Sequence, residues 1–127
     1  MNKKHKLIIA SDLKVRSSVQ KINLVANLIR GEDVLEAILQ LSFCKKKASY
    51  VIKKVLSAAI ANSQNNLKLD INNLYIGEIR IGKSLILKRS RVRARGKINR
   101  IYKSFSMIVI ILKERKVKLY GTKSKFK

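Results

Sequence analysis

Apolar residues recur at spacings of three and four in the first half of the chain, which is the pattern of amphipathic helices. The first such segment follows Ser18 and ends before Gly31; its apolar positions are Val19, Ile22, Val25, Ala26 and Ile29. Ser18 is a suitable N-cap, and Gly31 stands where a left-handed residue commonly follows a helix. The spacing therefore predicts a helix between these two residues.

Two more helices are predicted in the same way. The second has the periodic positions Val34, Leu35, Ile38 and Leu41. Asp33 and Glu36 have the spacing of a capping box, with Asp in place of Ser or Thr. The third and longest helix is predicted from about Lys45 to Asn65, with a shared face made of Ala48, Val51, Ile52, Val55, Ala59 and Asn62.

The second half of the chain has the pattern of strands. Residues 74–81 are rich in β-branched side chains and mostly alternate, and residues 105–112 form a nearly continuous apolar run that is typical of a central strand. Residues 6–10 are a candidate third strand. The prediction is an α+β fold in which three helices pack on a small three-stranded antiparallel sheet.

About 23 residues, 82–104, separate the two main strands. A structureless loop of this length is unusual in a compact domain. Because the segment lacks proline and is flanked by strands, an antiparallel extension of both strands is the simplest interpretation. At about 3.3 Å per residue such a β-hairpin arm would protrude roughly 35 Å. We expect one domain over 1–113 with 82–104 as its arm, and a basic, disordered tail over 114–127.

Charge divides the chain in a way that suggests its partner. The protein has 30 Lys and Arg against 7 Asp and Glu, a net charge of +23. Residues 22–79 are nearly balanced, whereas 80–103 contain ten basic residues and no acid. Such self-repelling charge is stabilised by a polyanion, and nucleic acid is the expected one. An anionic membrane is the second candidate partner, and we expect no homo-oligomer.

A basic run carries the strongest functional signal. Arg89, Arg91, Arg93, Arg95 and Lys97 are spaced by two, so an unbroken strand would place all five on one side. Arginine suits this purpose because its planar fork contacts phosphate oxygens in bidentate geometry. A turn within the run would divide the row between two strands. The competing interpretation, a flexible basic tail or localisation signal, fits poorly with an interior position between apolar strands.

Lys45, Lys46 and Lys47 stand at the start of the third helix, where the helix dipole disfavours cations. A phosphate nearby would explain them, and a solvated first turn would explain them equally well. Both interpretations stay open on the sequence alone.

Catalytic and metal sites are not expected. The single histidine, His5, lies in a charged N-terminal segment, and Cys44 has no histidine or acidic cluster around it. The five glycines form no phosphate-binding loop, and the acids form no pair suited to proton transfer. One cysteine excludes an internal disulfide. We therefore expect no enzyme activity, no cofactor and no metal; the lack of a membrane-spanning or signal segment indicates a cytoplasmic protein.

Several motifs in one order resemble the bacterial-type large-subunit ribosomal protein twenty-two family. Residues 15–31 (VRSSVQKINLVANLIRG) resemble its first helix, 57–62 (SAAIAN) its third helix, and 70–74 (DINNL) its lead into the hairpin. Residues 87–89, 93–97 and 100–101 resemble its hairpin tip and return strand. The agreement extends from about residue 13 to 113, and motifs in a fixed order are more specific than any one motif.

This resemblance implies a structural protein docked on large-subunit rRNA near the peptide exit, with a hairpin tip that lines the nascent-peptide tunnel beside large-subunit protein four. The implied rRNA contacts are Lys14, Arg16, Lys21, Lys45, Lys46, Lys47, Lys83, Lys88, Arg89, Arg91, Arg93, Arg95, Lys97, Arg100 and Lys103. The implied tunnel tip consists of Leu87, Lys88, Arg89, Ser90, Arg91, Val92 and Arg93. Partners would then be rRNA, neighbouring ribosomal proteins and the nascent polypeptide, in a bacterial or an organellar ribosome.

The chain departs from the family pattern where prolines are common. Val19 follows the capping serine, Ser84 and Leu85 replace a frequent Gly-Pro, and Val92 stands near the tip. Without these prolines the tip is less restrained in the free protein.

Two other functions were weighed. A DNA-binding protein would need a helix rich in Arg or Asn for the major groove, and none is found. A membrane-active protein would have Lys and Arg along one face of an amphipathic helix, whereas most of the charge here lies outside the helices.

Overall fold

A computed structural model describes residues 8–115 of the chain. It contains the strand β1 (Ile8–Val15), the helices α1 (Val19–Ile29), α2 (Val34–Phe43) and α3 (Lys47–Asn66), and the long strands β2 (Leu74–Val92) and β3 (Ile98–Glu114). One-turn 3-10 helices cover Ile71–Asn73 and Ala94–Gly96. The predicted α+β fold is confirmed.

The sheet has the order β1-β3-β2, and both pairs are antiparallel. β3 is therefore the central strand, which confirms the prediction from its apolar run. β1 pairs only with the body end of β3, from Ile8 opposite Leu112 to Val15 opposite Ser106. On the N-terminal side of Ser106 the sheet consists only of the two strands of the hairpin, β2 and β3.

The three helices cover one face of this sheet and enclose an aliphatic core. Fully buried side chains come from the three helices and from β2 and β3: Ile22, Ile29, Val34, Ile52, Leu56, Ile76, Ile108, Ile110 and Leu112. At about 1.5–3 kcal/mol for each large aliphatic side chain, this burial is the main stabilising contribution of the body. No buried residue lies between 80 and 105, so the arm contributes nothing to the core.

Helix caps follow the sequence at α1 and depart from it at α2. Ser18 Oγ accepts a hydrogen bond from the Lys21 amide at 3.4 Å, and Gly31 has a φ of +79°, so both ends of α1 are as expected. Asp33 is the N-cap of α2 but makes no side-chain cap bond, and the expected capping box is wrong. Its carboxylate instead forms an ion pair of 2.8 Å with Arg115.

Two irregularities in β2 change which side chains face the helices. Ile76 is opposite Leu112 and Glu78 is opposite Ile111, so Gly77 is an extra residue, a β-bulge. Lys83 is opposite Ser106 and Ile86 is opposite Ser104, so a second extra residue lies at Ser84–Leu85. Each bulge reverses the alternation along β2 for everything that follows.

Some predicted boundaries and contacts were wrong. β1 extends five residues beyond Ala10, while residues 6 and 7 of the predicted strand lie outside the described range. On α2, Leu35 is 45% exposed and Ala37 is buried in its place. β3 continues through Glu114, the first residue of the predicted tail, and residues 116–127 lie outside the described range.

Candidate nucleic-acid interface

The arm is a solvated two-stranded ribbon. From Lys83 to Ser104 no side chain is buried, and even apolar ones are open to solvent: Val92 is 76% and Ile98 is 64% exposed. From Lys83 to the end of β2 are ten residues, or roughly 30 Å of strand. A two-stranded ribbon without a core is marginally stable by itself in water. Its length and exposure are understandable if another molecule surrounds it.

The turn of the hairpin lies at Arg93–Lys97. The Arg93 amide donates to the Lys97 carbonyl at 2.6 Å, and Arg95 and Gly96 both have left-handed backbones, with φ of +63° and +71°. Of the residues implied as the tunnel tip, only Arg93 belongs to this turn. The other six, 87–92, precede it on β2.

The turn divides the run of five cations, so of the two arrangements that the sequence left open the divided one is found. Arg89 and Arg91 lie on the same strand, opposite Ile101 and Asn99. Residues directly opposite in an antiparallel pair share a face, and here that face is the open side of the sheet, away from the helices. The remaining three cations of the run belong to the turn.

Cations therefore surround the arm instead of following one edge. Lys88 is opposite Tyr102 and Ser90 is opposite Arg100, and these four are on the continuation of the helix-covered face. Lys103 is opposite Leu87 on the open face. A ribbon with positive charge on both faces and at its end is suited to a partner that encloses it, such as folded RNA.

These cations have no internal counter-charge. Residues 82–104 contain nine Lys and Arg and no acid. The two ion pairs found among residues 8–115 both lie on the body, Glu78 with Arg80 at 2.7 Å and Asp33 with Arg115 at 2.8 Å. The hydrogen bonds from Arg80 lower the pKa of Glu78 and raise that of Arg80. The charge of the arm is left for an external anion.

The root of the arm is joined to the loop before α1. The buried Ser106 Oγ donates to the Ser17 carbonyl at 2.5 Å. The exposed cations Lys14 and Arg16 occupy the same end of the body, since Val15 is opposite Ser106. Lys21 is exposed on the first turn of α1, which begins there. The structure thus brings these three predicted contacts close to the root of the arm.

Lys45, Lys46 and Lys47 are exposed where α2 connects to α3. Lys46 is the N-cap of α3 without a side-chain cap bond, and the first turn contains no acid. The buried Ser49 donates from Oγ to the Lys46 carbonyl at 2.5 Å, which fixes the backbone of this corner. Three cations at a positive helix end are consistent with a bound phosphate and with solvation alike.

Sequence reasoning overlooked Tyr102. It lies on β3 opposite Lys88, 56% exposed, so its ring is available as a surface on which a base can stack beside a cation. The signal was present, because Arg100 and Tyr102 are two residues apart on one strand.

No group of three or more His, Cys, Asp or Glu could hold a metal ion within residues 8–115, and no helix of this part is long and apolar enough to cross a membrane. Cys44 ends α2 and packs partly against the core.

Comparison with known proteins identifies the family. The chain is 48% identical over 109 residues to the large ribosomal subunit protein uL22 of Ehrlichia chaffeensis, covering 86% of this chain and 96% of that protein. It is 51% identical over 113 residues to the uL22 of a Wolbachia strain from Culex pipiens, covering 88% and 97%, and 49% identical to that of Anaplasma phagocytophilum, covering 86% and 97%. Residues 10–113 match the family described as ribosomal protein L22p/L17e, and the chain belongs to that family.

Proposed function

We propose that this protein is a non-enzymatic structural component of the large ribosomal subunit, held there by insertion of its arm into large-subunit rRNA. The observation that carries the proposal is the arm itself: nine cations, no acid and no buried side chain over residues 82–104. The relatives are bacterial and named as large-subunit proteins, which favours a bacterial cytoplasmic ribosome over an organellar one.

The arm and the root supply different parts of the interface. Lys83, Lys88, Arg89, Arg91, Arg93, Arg95, Lys97, Arg100 and Lys103 contact rRNA around the ribbon. Lys14, Arg16, Lys21 and Lys45 to Lys47 hold the body against the RNA surface. Residues 1–113 act as one rRNA-binding domain in this proposal, and the basic residues beyond Arg115 add non-specific attraction.

We further propose that the end of the arm reaches the nascent-peptide tunnel, beside large-subunit protein four. The turn at Arg93–Lys97 is the most distant part of the arm from the core, and residues 87–92 adjoin it. A photo-crosslinker at Val92, on ribosomes stalled with a nascent chain, should label the nascent polypeptide. A crosslinker at Tyr50, which is equally exposed on the body at 75%, is the control and should not. Equal labelling from both would contradict the tunnel assignment.

The salt dependence of RNA binding tests the arm. Each phosphate contact releases counterions, so six to ten contacts predict a fall in affinity of roughly 10³–10⁵-fold between 50 and 200 mM salt. Replacing Arg89 and Arg91 with Ala should make the plot of log affinity against log salt concentration shallower, by the amount expected for about two lost phosphate contacts. Replacing Lys54 and Lys68, which are exposed on the body and outside the proposed interface, removes the same charge and should leave it unchanged.

Two outcomes would contradict the proposal. One is an equal salt dependence for the Arg89/Arg91 variant and the Lys54/Lys68 variant. That result would mean that positive charge anywhere on the protein contributes equally to RNA binding. The other is preference for duplex DNA over rRNA fragments in competition. In cells, the tagged protein should sediment with large subunits through a sucrose gradient.

A further inference from the structure

A cleft of about 530 Å³ lies where the arm leaves the body. α1 forms one wall, with Gln20, Asn23 and Asn27 among its lining residues. The root of the arm forms the other wall, with Lys83 and Ile86. The cleft is within the size range of small-molecule sites. Nothing in the proposed electrostatic contacts of the arm requires such a cleft.

Two amide side chains of this cleft are held in one orientation. Arg30 Nη1 donates to Asn27 Oδ1 at 2.5 Å, and Arg30 Nη2 donates to Asn23 Oδ1 at 3.3 Å. Arg30 Nη2 also donates to the Ile79 carbonyl at 3.2 Å, so this guanidinium connects α1 to β2. With both oxygens engaged, the NH2 groups of the two asparagines are the atoms left to donate to an occupant of the cleft.

The opposite wall adds a cation and apolar surface. Lys83 is exposed and takes part in neither of the ion pairs of residues 8–115. Leu24 and Ile86 are 52% and 44% exposed, and Phe105 also lines the cleft. The lining therefore combines hydrogen-bond donors, one positive charge and apolar sides. An occupant must be flat or apolar in part, rich in acceptors and negatively charged.

We propose that this cleft binds one unpaired nucleotide of the RNA that surrounds the arm, which rests on the proposed function. The amide NH2 groups donate to acceptor atoms of the base, Lys83 contacts its phosphate, and the apolar walls cover the base. Unpaired bases are the usual targets of base-specific recognition in RNA. An apolar side chain from a protein would leave the amide donors without acceptors, which is costly once they are buried.

The test reverses the chemistry of the donors without changing their shape. Asn23→Asp with Asn27→Asp keeps an oxygen for Arg30 and replaces each NH2 group with a second acceptor. We expect about a tenfold loss of affinity for large-subunit rRNA at fixed salt, from two hydrogen bonds of ordinary strength. Base-specific chemical probing should show renewed reactivity at one or two unpaired nucleotides that the wild-type chain protects.

The control adds the same charge elsewhere. Gln40→Glu with Gln64→Glu places two carboxylates on exposed positions of α2 and α3 and should preserve the protection. Ile86→Trp fills the cleft without changing charge; it should expose the same nucleotides, and its salt slope should change by no more than the one phosphate contact of Lys83. Thermal unfolding of each variant establishes that it folds.

The outcomes separate the two proposals. If the cleft variants protect the RNA as the control does, while the Arg89 and Arg91 variant has a shallower salt slope than wild type, the cleft proposal is wrong and the arm proposal stands. If the wild-type chain itself lacks salt-dependent rRNA binding, both are wrong.

Discussion

The hydroxyl of Ser106, fully buried, donates to the carbonyl oxygen of Ser17 across 2.5 Å. Ser106 is the first residue of β3 that pairs with β1, and the residues of β3 that precede it belong to the arm. The bond therefore fixes the direction in which the arm leaves the body. Since the arm has no core of its own, this anchor and the neighbouring backbone ladder determine where its cations are held.

Replacing Ser106 with Ala should lower the free energy of unfolding by about 1–2 kcal/mol, because it removes a buried hydrogen bond and leaves the Ser17 oxygen without its donor. Ser90→Ala, the same change on the exposed part of β2, should alter it by less than about 0.5 kcal/mol. Urea titration followed by circular dichroism measures both. Equal stability of the two variants would mean that the bond does not anchor the root.

The core and the surface of the helices should respond differently to truncation. Leu56→Ala creates a cavity at a side chain with 0% exposure and should cost about 2–5 kcal/mol. Leu39→Ala removes the same atoms from a side chain that is 59% exposed and should cost little. Thermal unfolding of both variants checks this, and a large loss from Leu39→Ala would place that side chain in a packed environment.

The turn of the arm depends on two left-handed residues. Gly96→Ala puts a Cβ on a backbone with a φ of +71°, a strain of about 1–2 kcal/mol. Arg95→Gly should relieve strain at φ +63°. Hydrogen exchange of the Arg93 amide, which donates to the Lys97 carbonyl, should become faster in the first variant and slower in the second. The same direction of change in both would contradict this account of the turn.

Acid should weaken the ion pair at the base of β2. Hydrogen bonds from Arg80 lower the pKa of Glu78, so the folded protein binds fewer protons there than the unfolded chain. The resulting contribution to the free energy of unfolding is present at pH values above the ordinary pKa of glutamate. It is lost as the pH falls through the lowered pKa of Glu78 in the folded protein. Wild type should therefore be slightly more stable than Glu78→Gln at neutral pH, with the difference vanishing in acid. The effect is small because both side chains are substantially exposed. A difference that grows toward low pH would have the wrong sign.

Local signals were sufficient for the helices and the central strand, and they also predict a class of partner. The spacing of Ile22, Val25 and Ile29 specified the buried face of α1, because helical periodicity is a property of neighbouring residues. The apolar run of residues 105–112 specified the central strand for a similar reason. The charge of residues 80–103 predicted a polyanionic partner, since no fold can neutralise cations without acids nearby.

Pairing between strands decided what the sequence could not. The period-two run of cations would form one row on an unbroken strand, but the turn at residues 93–97 leaves Arg89 and Arg91 on one face of β2 and the other three cations in the turn. The Asp33 carboxylate forms an ion pair with Arg115, more than eighty residues later in the sequence, instead of capping α2. Register, bulges and long-range ion pairs are set by contacts between distant segments, and a local pattern does not contain them. The sequence alone therefore determined that a basic arm exists, and the tertiary structure alone decided that its charge is distributed on all sides.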